Sequence, residues 1–270
     1  MKILLITGNH PRHFYFIKKF QETSFNLSLI IEKRKDKFMP KINKNYKLNI
    51  KRLYKLHFNK RSIAEKKFFG DAKFNNKKVN FLSYVVRNDF SNGKLQKLIS
   101  KHKFDILITY GCGLINNDIL KMIRLYAWNV HGGLSPWYRG GATLFWPSYM
   151  LQPEYTGMTF HETTNKVDAG NIVFQNSAKI RPGDGIHDNA CRVIKDFCDK
   201  LPLLLEKKIL SKTKIISMPQ KSSGKIWTKK NWSPLNLKII YELFDDKINK
   251  FCLKNRKIVN PKVINFLKIK

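Results

Sequence analysis

Acidic side chains are scarce in this chain, cysteines are few, and long apolar runs are missing. Each scarcity excludes something. The four cysteines, Cys112, Cys191, Cys198 and Cys252, form no CxxC pair, and only His187 stands close to one of them. No zinc-binding set is spelled out, so no metal is expected, and the spacing reads as reduced thiols in a cytoplasmic protein. No stretch approaches the ~18 apolar residues of a membrane span, and the opening run from Ile3 to Thr7 is too short for a signal peptide. A soluble protein without a membrane partner is the expectation. Asp and Glu number only 19 against 52 Lys and Arg, a formal charge of +33. Such a surplus is typical of nucleic-acid binders, whose affinity comes from neutralising phosphates. Here Arg supplies only 10 of the 52 and Lys the other 42, scattered except for short clusters at 33–37 and 229–230. With Asn, Ile and Phe abundant, this is the mark of A/T-rich codons rather than of a reading surface. Attraction for some anionic ligand is the firmer inference; nucleic acid, tRNA included, is a partner the charge permits but does not favour.

Apolar residues make up 43% of the 270 and aromatics 13%, enough for one large α/β domain with an appendage. Apolar spacing predicts strand, helix and strand over residues 2–8, 13–21 and 27–32, then a basic loop over 33–49. A helix is expected over 50–69 with Leu53, Leu56, Ile63 and Phe68 turned inward, a strand over 79–84, and a helix over 92–102. Residues 104–109 form a nearly continuous apolar strand, as in a parallel sheet covered on both faces. A helix over 116–123, a strand over 126–130, a glycine-rich loop over 132–141 and a helix over 142–151 follow, with Pro147 in that helix's first turn or at a kink. Residues 156–163 and 171–180 read as an antiparallel pair. The longest helical pattern, 184–207, puts Cys191, Ile194, Cys198 and Leu201 on one stripe, with Pro202 able to kink or divide it. After Ser211 come a short strand, a Ser-Ser-Gly turn and a helix near 234–253. The expectation is a mostly parallel, doubly wound α/β domain over 1–211 and a short α+β extension over 212–270.

In such sheets ligands sit at the C-terminal ends of the strands, and three loops there carry unusual residues: 8–12, 110–113 and 129–141. Gly8, Asn9, His10 and Arg12 precede a helix whose N-terminus could receive an anion. The pattern is not GxGxxG, so a dinucleotide site is not indicated. Asn129 and His131 are two residues apart at a strand end, so both side chains project to one side. About forty residues on, Val167-Asp168-Ala169-Gly170 adds a carboxylate in a turn. Amide, imidazole and carboxylate suit acyl transfer to an amine: the imidazole moves protons, the carboxylate orients it, and the amide donates to a developing oxyanion. Each also has an ordinary reading, as turn former or packed side chain, and spacing alone does not bring the three together. His161 reads as a structural strand residue, and Cys112 has no base placed to make it a nucleophile.

Asn129-x-His131-x-x-Leu134-x-Pro136-x-Tyr138-Arg139-Gly140, then a helix, the strand Thr156-Gly157-x-Thr159 and the turn Asp168-x-Gly170, closely resembles the folate-dependent formyltransferase family. That family acts on methionyl-tRNA, on a purine precursor and on nucleotide sugars. The resemblance runs over residues 104–173 and weakly over the first strand. It implies a Rossmann-like fold, a one-carbon transferase, and 10-formyltetrahydrofolate as co-substrate. It implies Asn129, His131 and Asp168 as the catalytic residues. Folate-site walls would come from Tyr110, Gly111, Cys112, Gly113 and Leu114 on one side and Val167 and Gly170 on the other. Gly8, Asn9, His10, Arg12 and Arg139 become candidates for holding the acceptor. Gly133 and Ser135 depart from the family's usual Ser and Leu, and residues 50–69 look inserted relative to the tRNA enzyme. The tail after Ser211 looks too short for that enzyme's extra barrel, so a small amine, most simply a nucleotide-linked amino sugar, is the expected acceptor. Methionyl-tRNA and a non-catalytic RNA-binding role are the alternatives.

Overall fold

In a computed structural model describing residues 1–34, 41–221 and 225–268, β1 (Lys2–Thr7) is the centre of the molecule. Its apolar residues alternate between two covered faces. Ile3 and Leu5 join one cluster with Phe16, Ile17, Ile194 and Phe197, while Leu4 and Ile6 join another with Leu95, Ile99 and Ile119. Period-two alternation with both sets apolar is what a doubly covered strand requires.

The chain continues through α1 (Pro11–Phe20), β2 (Asn26–Glu32), α2 (Leu48–Phe69), β3 (Phe81–Val85), α3 (Lys94–Ser100), β4 (Phe104–Tyr110), α4 (Asn117–Lys121) and β5 (Ile123–His131). A two-residue β6 (Arg139–Gly140), α5 (Trp146–Tyr149), β7 (Gly157–Glu162), β8 (Ile172–Ser177), α6 (Ile186–Leu210), β9 (Ile226–Trp227) and α7 (Ile248–Asn255) complete it. The main sheet has the order β3-β2-β1-β4-β5-β7-β8, parallel from β3 to β5 and antiparallel beyond. This is the expected mostly parallel, doubly wound sheet. The chain runs outward one way from β1 and then crosses to β4, so the strand order reverses between β1 and β4 and opens a crevice at their C-terminal ends.

Several elements differ from the sequence expectation. α2 buries Ile50, Tyr54, His57, Phe58, Ala64 and Glu65, whereas Leu56 and Ile63 are exposed. The helix is rotated because Glu65 turns inward to meet Arg12 and Arg61 at 3.5 and 3.2 Å. The helix expected over 142–151 shrinks to four residues, with Pro147 in its first turn. α6 runs unbroken through Pro202. The expected last helix is split into a 3₁₀ turn at Pro234–Asn236, a π-helical turn at Ile239–Leu243 and α7. Asp245 and Asp246 adopt positive φ between the last two, and Asp246 accepts from the Ile186 N–H at the start of α6. The Ser-Ser-Gly turn and part of the 33–49 loop lie outside the described residues.

The stretch after Ser211 returns along the sheet. Met218 bridges to Ile172, and Phe266 donates to the Val173 carbonyl, so the outer edge of β8 is covered. A third apolar cluster gathers Tyr54, Tyr138, Trp146, Trp227, Ile240 and Tyr241 around the C-terminal segment. Within it His57 Nδ1 lies 3.0 Å from the Tyr241 hydroxyl and 3.2 Å from His187 Nε2.

Four histidines outside the strand ends of β5 and β7 are held neutral by burial. His10 is lowered to about 4 and His57 to about 3, and His13 and His187 also move down, with Arg12 or Arg61 adding to the burial effect. The unfolded chain protonates them near 6.5, so below that pH it binds more protons than the native state. Their contribution to stability is complete above 6.5 and is lost as pH falls toward 4. The urea midpoint should therefore drop steadily between pH 7 and 5. A flat midpoint over that range would show that these rings are not buried as described.

Candidate active site

Asn129 and His131 close β5, the strand bounded by β4 on one side and β7 on the other. Asn129 stands opposite Thr109 on β4 and His161 on β7, and His131 stands opposite Thr159. Residues two apart on one strand share a face, so amide and imidazole look the same way.

Asp168 reaches them from the β7–β8 turn, where it adopts φ 47°. Its Oδ2 lies 3.2 Å from His131 Nδ1 and accepts from the Gly140 N–H at 2.9 Å. Its Oδ1 lies 3.5 Å from Asn129 Nδ2 and 3.6 Å from His161 Nε2. The three residues expected to act together thus converge, although 39 positions separate Asn129 from Asp168. Burial works against the Asp168 charge, but His131 and the Gly140 N–H outweigh it and hold the carboxyl down to about 2. For His131 burial wins. It lowers the ring below its ordinary value even though Asp168 and the Tyr138 carbonyl, 2.9 Å from Nε2, favour the charged form.

Asn129 is oriented by its neighbours. Its Oδ1 accepts from Thr109 Oγ1 at 2.7 Å, which directs Nδ2 toward His161 Nε2 at 3.1 Å and toward Asp168. His161 Nδ1 faces the Glu162 carbonyl at 2.7 Å and donates to it, leaving Nε2 to accept from Asn129. His161 is therefore a fourth member of the cluster that the sequence reading assigned to structure alone. The signal was present: His161 follows Thr159 by two positions, so both share the face of β7 that meets His131 and Asn129.

The loop after His131 is pinned from below. Thr159 Oγ1 donates to the Gly133 carbonyl at 2.7 Å and accepts from Ser135 N at 3.0 Å, and Gln175 Nε2 donates to the Ser135 carbonyl at 2.6 Å. Two glycines are obligatory here. A Cβ on Gly133 would overlap His131 Nε2 and the Tyr138 carbonyl, and Gly140 (φ 94°) packs its Cα against the Trp227 carbonyl. Arg139, placed by sequence among the acceptor contacts, is buried in β6, which pairs with β9.

The loop expected to wall the folate site lies beside β5. Tyr110 turns its ring into the core against Phe16 and His13, so this residue offers the crevice its backbone. The Gly111 carbonyl accepts from Arg34 Nη2 at 2.6 Å, Gly113 packs against Phe90, and Leu114 is 75% exposed. Burial pushes the Cys112 thiol up to about 12, which denies it a thiolate near neutrality. Across the crevice Val167 is exposed and Gly170 is packed beneath Glu162. The 8–12 loop sits one strand further over: Gly8 N donates to the Tyr110 carbonyl at 3.2 Å. His10 is buried, its N–H donating to His13 Nδ1 at 3.2 Å, while Arg12 is drawn down to Glu65 and Asn9 stays half-exposed. Among the described residues no group of three His, Cys, Asp or Glu could hold a metal ion, and no helix is long and apolar enough to cross a membrane.

A family model described as formyl transferase matches residues 44–199. The bifunctional polymyxin resistance protein ArnA of Wigglesworthia glossinidia brevipalpis is 34% identical over 152 residues, covering 54% of this chain and 23% of that protein. Methionyl-tRNA formyltransferase of Lactobacillus acidophilus is 38% identical over 92 residues, covering 34% of this chain and 29% of that protein. The chain thus aligns with about a quarter of the length of these curated relatives. Among solved structures, the N-formyltransferase from Helicobacter canadensis in complex with folinic acid and dTDP-3-aminofucose superposes with a TM-score of 0.52 at 16% identity, covering 86% of this chain and 73% of that one. At that identity the likeness establishes the Rossmann-like fold.

The coupling between Asp168 and His131 is open to direct measurement. Asp168→Asn removes the charge that raises His131, so the ring's titration midpoint should move further down, by about one unit or more. Histidine ring NMR reads this. An unmoved midpoint would mean that the two side chains do not share the charge.

Proposed function

The chain belongs to the formyl transferase family, and we propose that it transfers a formyl group from 10-formyltetrahydrofolate to the amine of a nucleotide-linked amino sugar. The observation that carries this reading is the Asn129–His131–Asp168 cluster, with Asp168 Oδ2 3.2 Å from His131 Nδ1. A carboxylate held ionised beside an imidazole kept neutral is suited to receiving a proton and returning it.

In the proposed reaction the acceptor amine attacks the formyl carbon, a tetrahedral oxyanion forms, and the C–N bond to the folate breaks. Asn129 Nδ2, whose contact with Asp168 is a long 3.5 Å, has a hydrogen available for the oxyanion. His131 takes the proton that the amine loses and passes it to the departing folate nitrogen. Asp168 meets the transient imidazolium on one edge of the ring. The other edge, now faced by the Tyr138 carbonyl, is the one the reacting groups must reach, so the 132–141 loop yields as substrate enters. The donor lies between the 110–114 loop and the 167–170 turn.

Two features favour an anionic small acceptor. Arg12, Arg34 and Arg61, each also paired with a buried glutamate, stand close enough to His10 in the loop after β1 to act on its charge. That loop lies two strand spacings, about 10 Å, from Asn129, within reach of a nucleotide diphosphate whose sugar amine meets the cluster. The Helicobacter canadensis structure holds folinic acid with a nucleotide amino sugar. The local identity to a methionyl-tRNA formyltransferase favours tRNA as the second reading.

The deciding assay supplies 10-formyltetrahydrofolate together with a panel of nucleotide-linked amino sugars and charged initiator tRNA. Formylation of a sugar with the tRNA inert is expected. Efficient formylation of the tRNA with the sugars inert overturns the acceptor, and folate release without any amine would make the protein a hydrolase. Once turnover is in hand, Asn129→Ala should cost about 2.7–4 kcal/mol in kcat, the usual worth of one oxyanion donor. Near-normal turnover in that variant would remove Asn129 from the role.

A further inference from the structure

Gln220 and Trp227 stand seven positions apart, beyond the 1–211 core, and each grips one of the two loops that form the site. The Gln220 side-chain NH₂ donates to the Asp168 carbonyl and to the Gly170 carbonyl, both at 2.8 Å. These two bonds bracket the turn in which Asp168 holds its positive φ. Trp227 belongs to β9, which pairs in parallel with Arg139 and Gly140, and its carbonyl accepts from Gly141 N at 2.7 Å. Its ring stacks on Trp146 at 4.2 Å and lies parallel to Tyr138 at 6.3 Å. Tyr138 supplies the carbonyl that faces His131 Nε2, and Gly140 the N–H that Asp168 accepts.

We infer that Gln220 and Trp227 are positioning residues that hold the Asp168 turn against the His131 loop, so that the stretch after Ser211 completes the active site. Neither touches a reacting atom; both act through Asp168 and His131. The inference rests on the proposed reaction for its kinetic part only.

The polar accounting supports it. Gln220 Oε1 is buried with no partner among the described residues, as is Trp227 Nε1. A buried polar atom left unpaired carries a desolvation cost, so neither side chain is placed to satisfy itself. Gln220 is held there for its two donated bonds, and those bonds end on the backbone of the Asp168 turn. Ser217 Oγ donates to Glu162 Oε1 at 2.6 Å, and Met218 exchanges backbone bonds with Ile172, so the approach to Gln220 is itself anchored on both strands that flank the turn. The proton on Gly140 N is therefore aimed by one anchor and the carboxylate that accepts it by the other. Slack in either opens the 3.2 Å gap between Asp168 and His131.

The test uses Gln220→Met, which keeps the length and removes the donors. Two quantities are read in the full-length protein. The first is the Asp168 carboxyl midpoint by ¹³C NMR, which should rise from about 2 by about one unit as the carboxylate loses His131 and Gly140 while its burial persists. The second is turnover, where kcat should fall about tenfold or more with KM for donor and acceptor little changed. Thermal unfolding within a few degrees of wild type separates this from general damage. An unmoved Asp168 midpoint overturns the inference, and since that titration needs neither donor nor acceptor, it decides the matter even if the functional reading fails. Should Gln220→Met not fold, Trp227→Ala serves instead. It keeps the backbone carbonyl, removes the stacked ring, and is expected to shift both quantities in the same sense; wild-type values in it overturn the inference.

Discussion

A carboxylate is kept ionised in a largely buried place, and the site is organised around making that charge tolerable. Asp168 would be raised by burial alone, yet it is held at about 2. An isolated charge at such a site would instead neutralise. Three donors prevent that: the Gly140 N–H, His131 and, more distantly, Asn129. Each donor depends on something further away. The Gly140 N–H points inward because glycine accepts φ 94°, and Asn129 is turned by Thr109 on one side and by His161, from the antiparallel strand beyond β5, on the other. Moving any one of them leaves a charge less compensated, so the strands and loops around Asp168 are bound to one another through it.

The same burial acts oppositely on His131. A carboxylate 3.2 Å away and a carbonyl 2.9 Å away favour the imidazolium, but desolvation keeps the ring neutral. The balance is close in kind to what a proton shuttle needs. A ring already charged could not accept a proton from an attacking amine, and one with no acceptors nearby could not keep it. Gly133 is the geometric condition for this arrangement, since any side chain there would displace the imidazole from the Tyr138 carbonyl. Conformational permission at two glycines and charge compensation at one aspartate are thus two sides of one constraint.

How much of this was legible in the sequence follows from how far each contact reaches along the chain. The parallel strands were readable because both faces of β1, β2 and β4 are apolar, and the Asn129–His131 pair because two positions on one strand share a face. Asp168 was reachable only through its turn and the family resemblance. His161 was passed over because its spacing from Thr159 tells only that the two share a face, while the register that sets it opposite Asn129, 32 residues away, is a long-range property. Gln220 and Trp227 were invisible for a stronger reason. Each acts through a backbone carbonyl, its own or its partner's, and such contacts leave no residue type as a trace. The rotation of α2 was misjudged because an amphipathic reading counts Leu56 and Ile63 as inward, whereas two guanidinium groups draw Glu65 into the interior and leave those two exposed.

That last error also bears on the charge. None of the buried side chains among the described residues is a lysine, whereas the most buried glutamates are each met by arginine. Glu32 lies 3.3 Å from both Arg34 and Arg87, Glu65 meets Arg12 and Arg61, and Glu154 is gripped by both terminal nitrogens of Arg256. Arginine suits this because its planar fork can satisfy a carboxylate without full hydration, while the lysine ammonium is better left in water. The +33 surplus therefore divides into two populations. The lysines form a diffuse, salt-screened field at the periphery that can draw in any anion without selecting among them. Arg12, Arg34 and Arg61 lie near His10 at the end of β1, with Arg34 reaching the Gly111 carbonyl after β4, while Arg87 stands further out on Glu32 at the end of β2. If charge contributes to recognition in this protein, it does so through those few fixed arginines at the mouth of the crevice, and the count of lysines says little about the ligand.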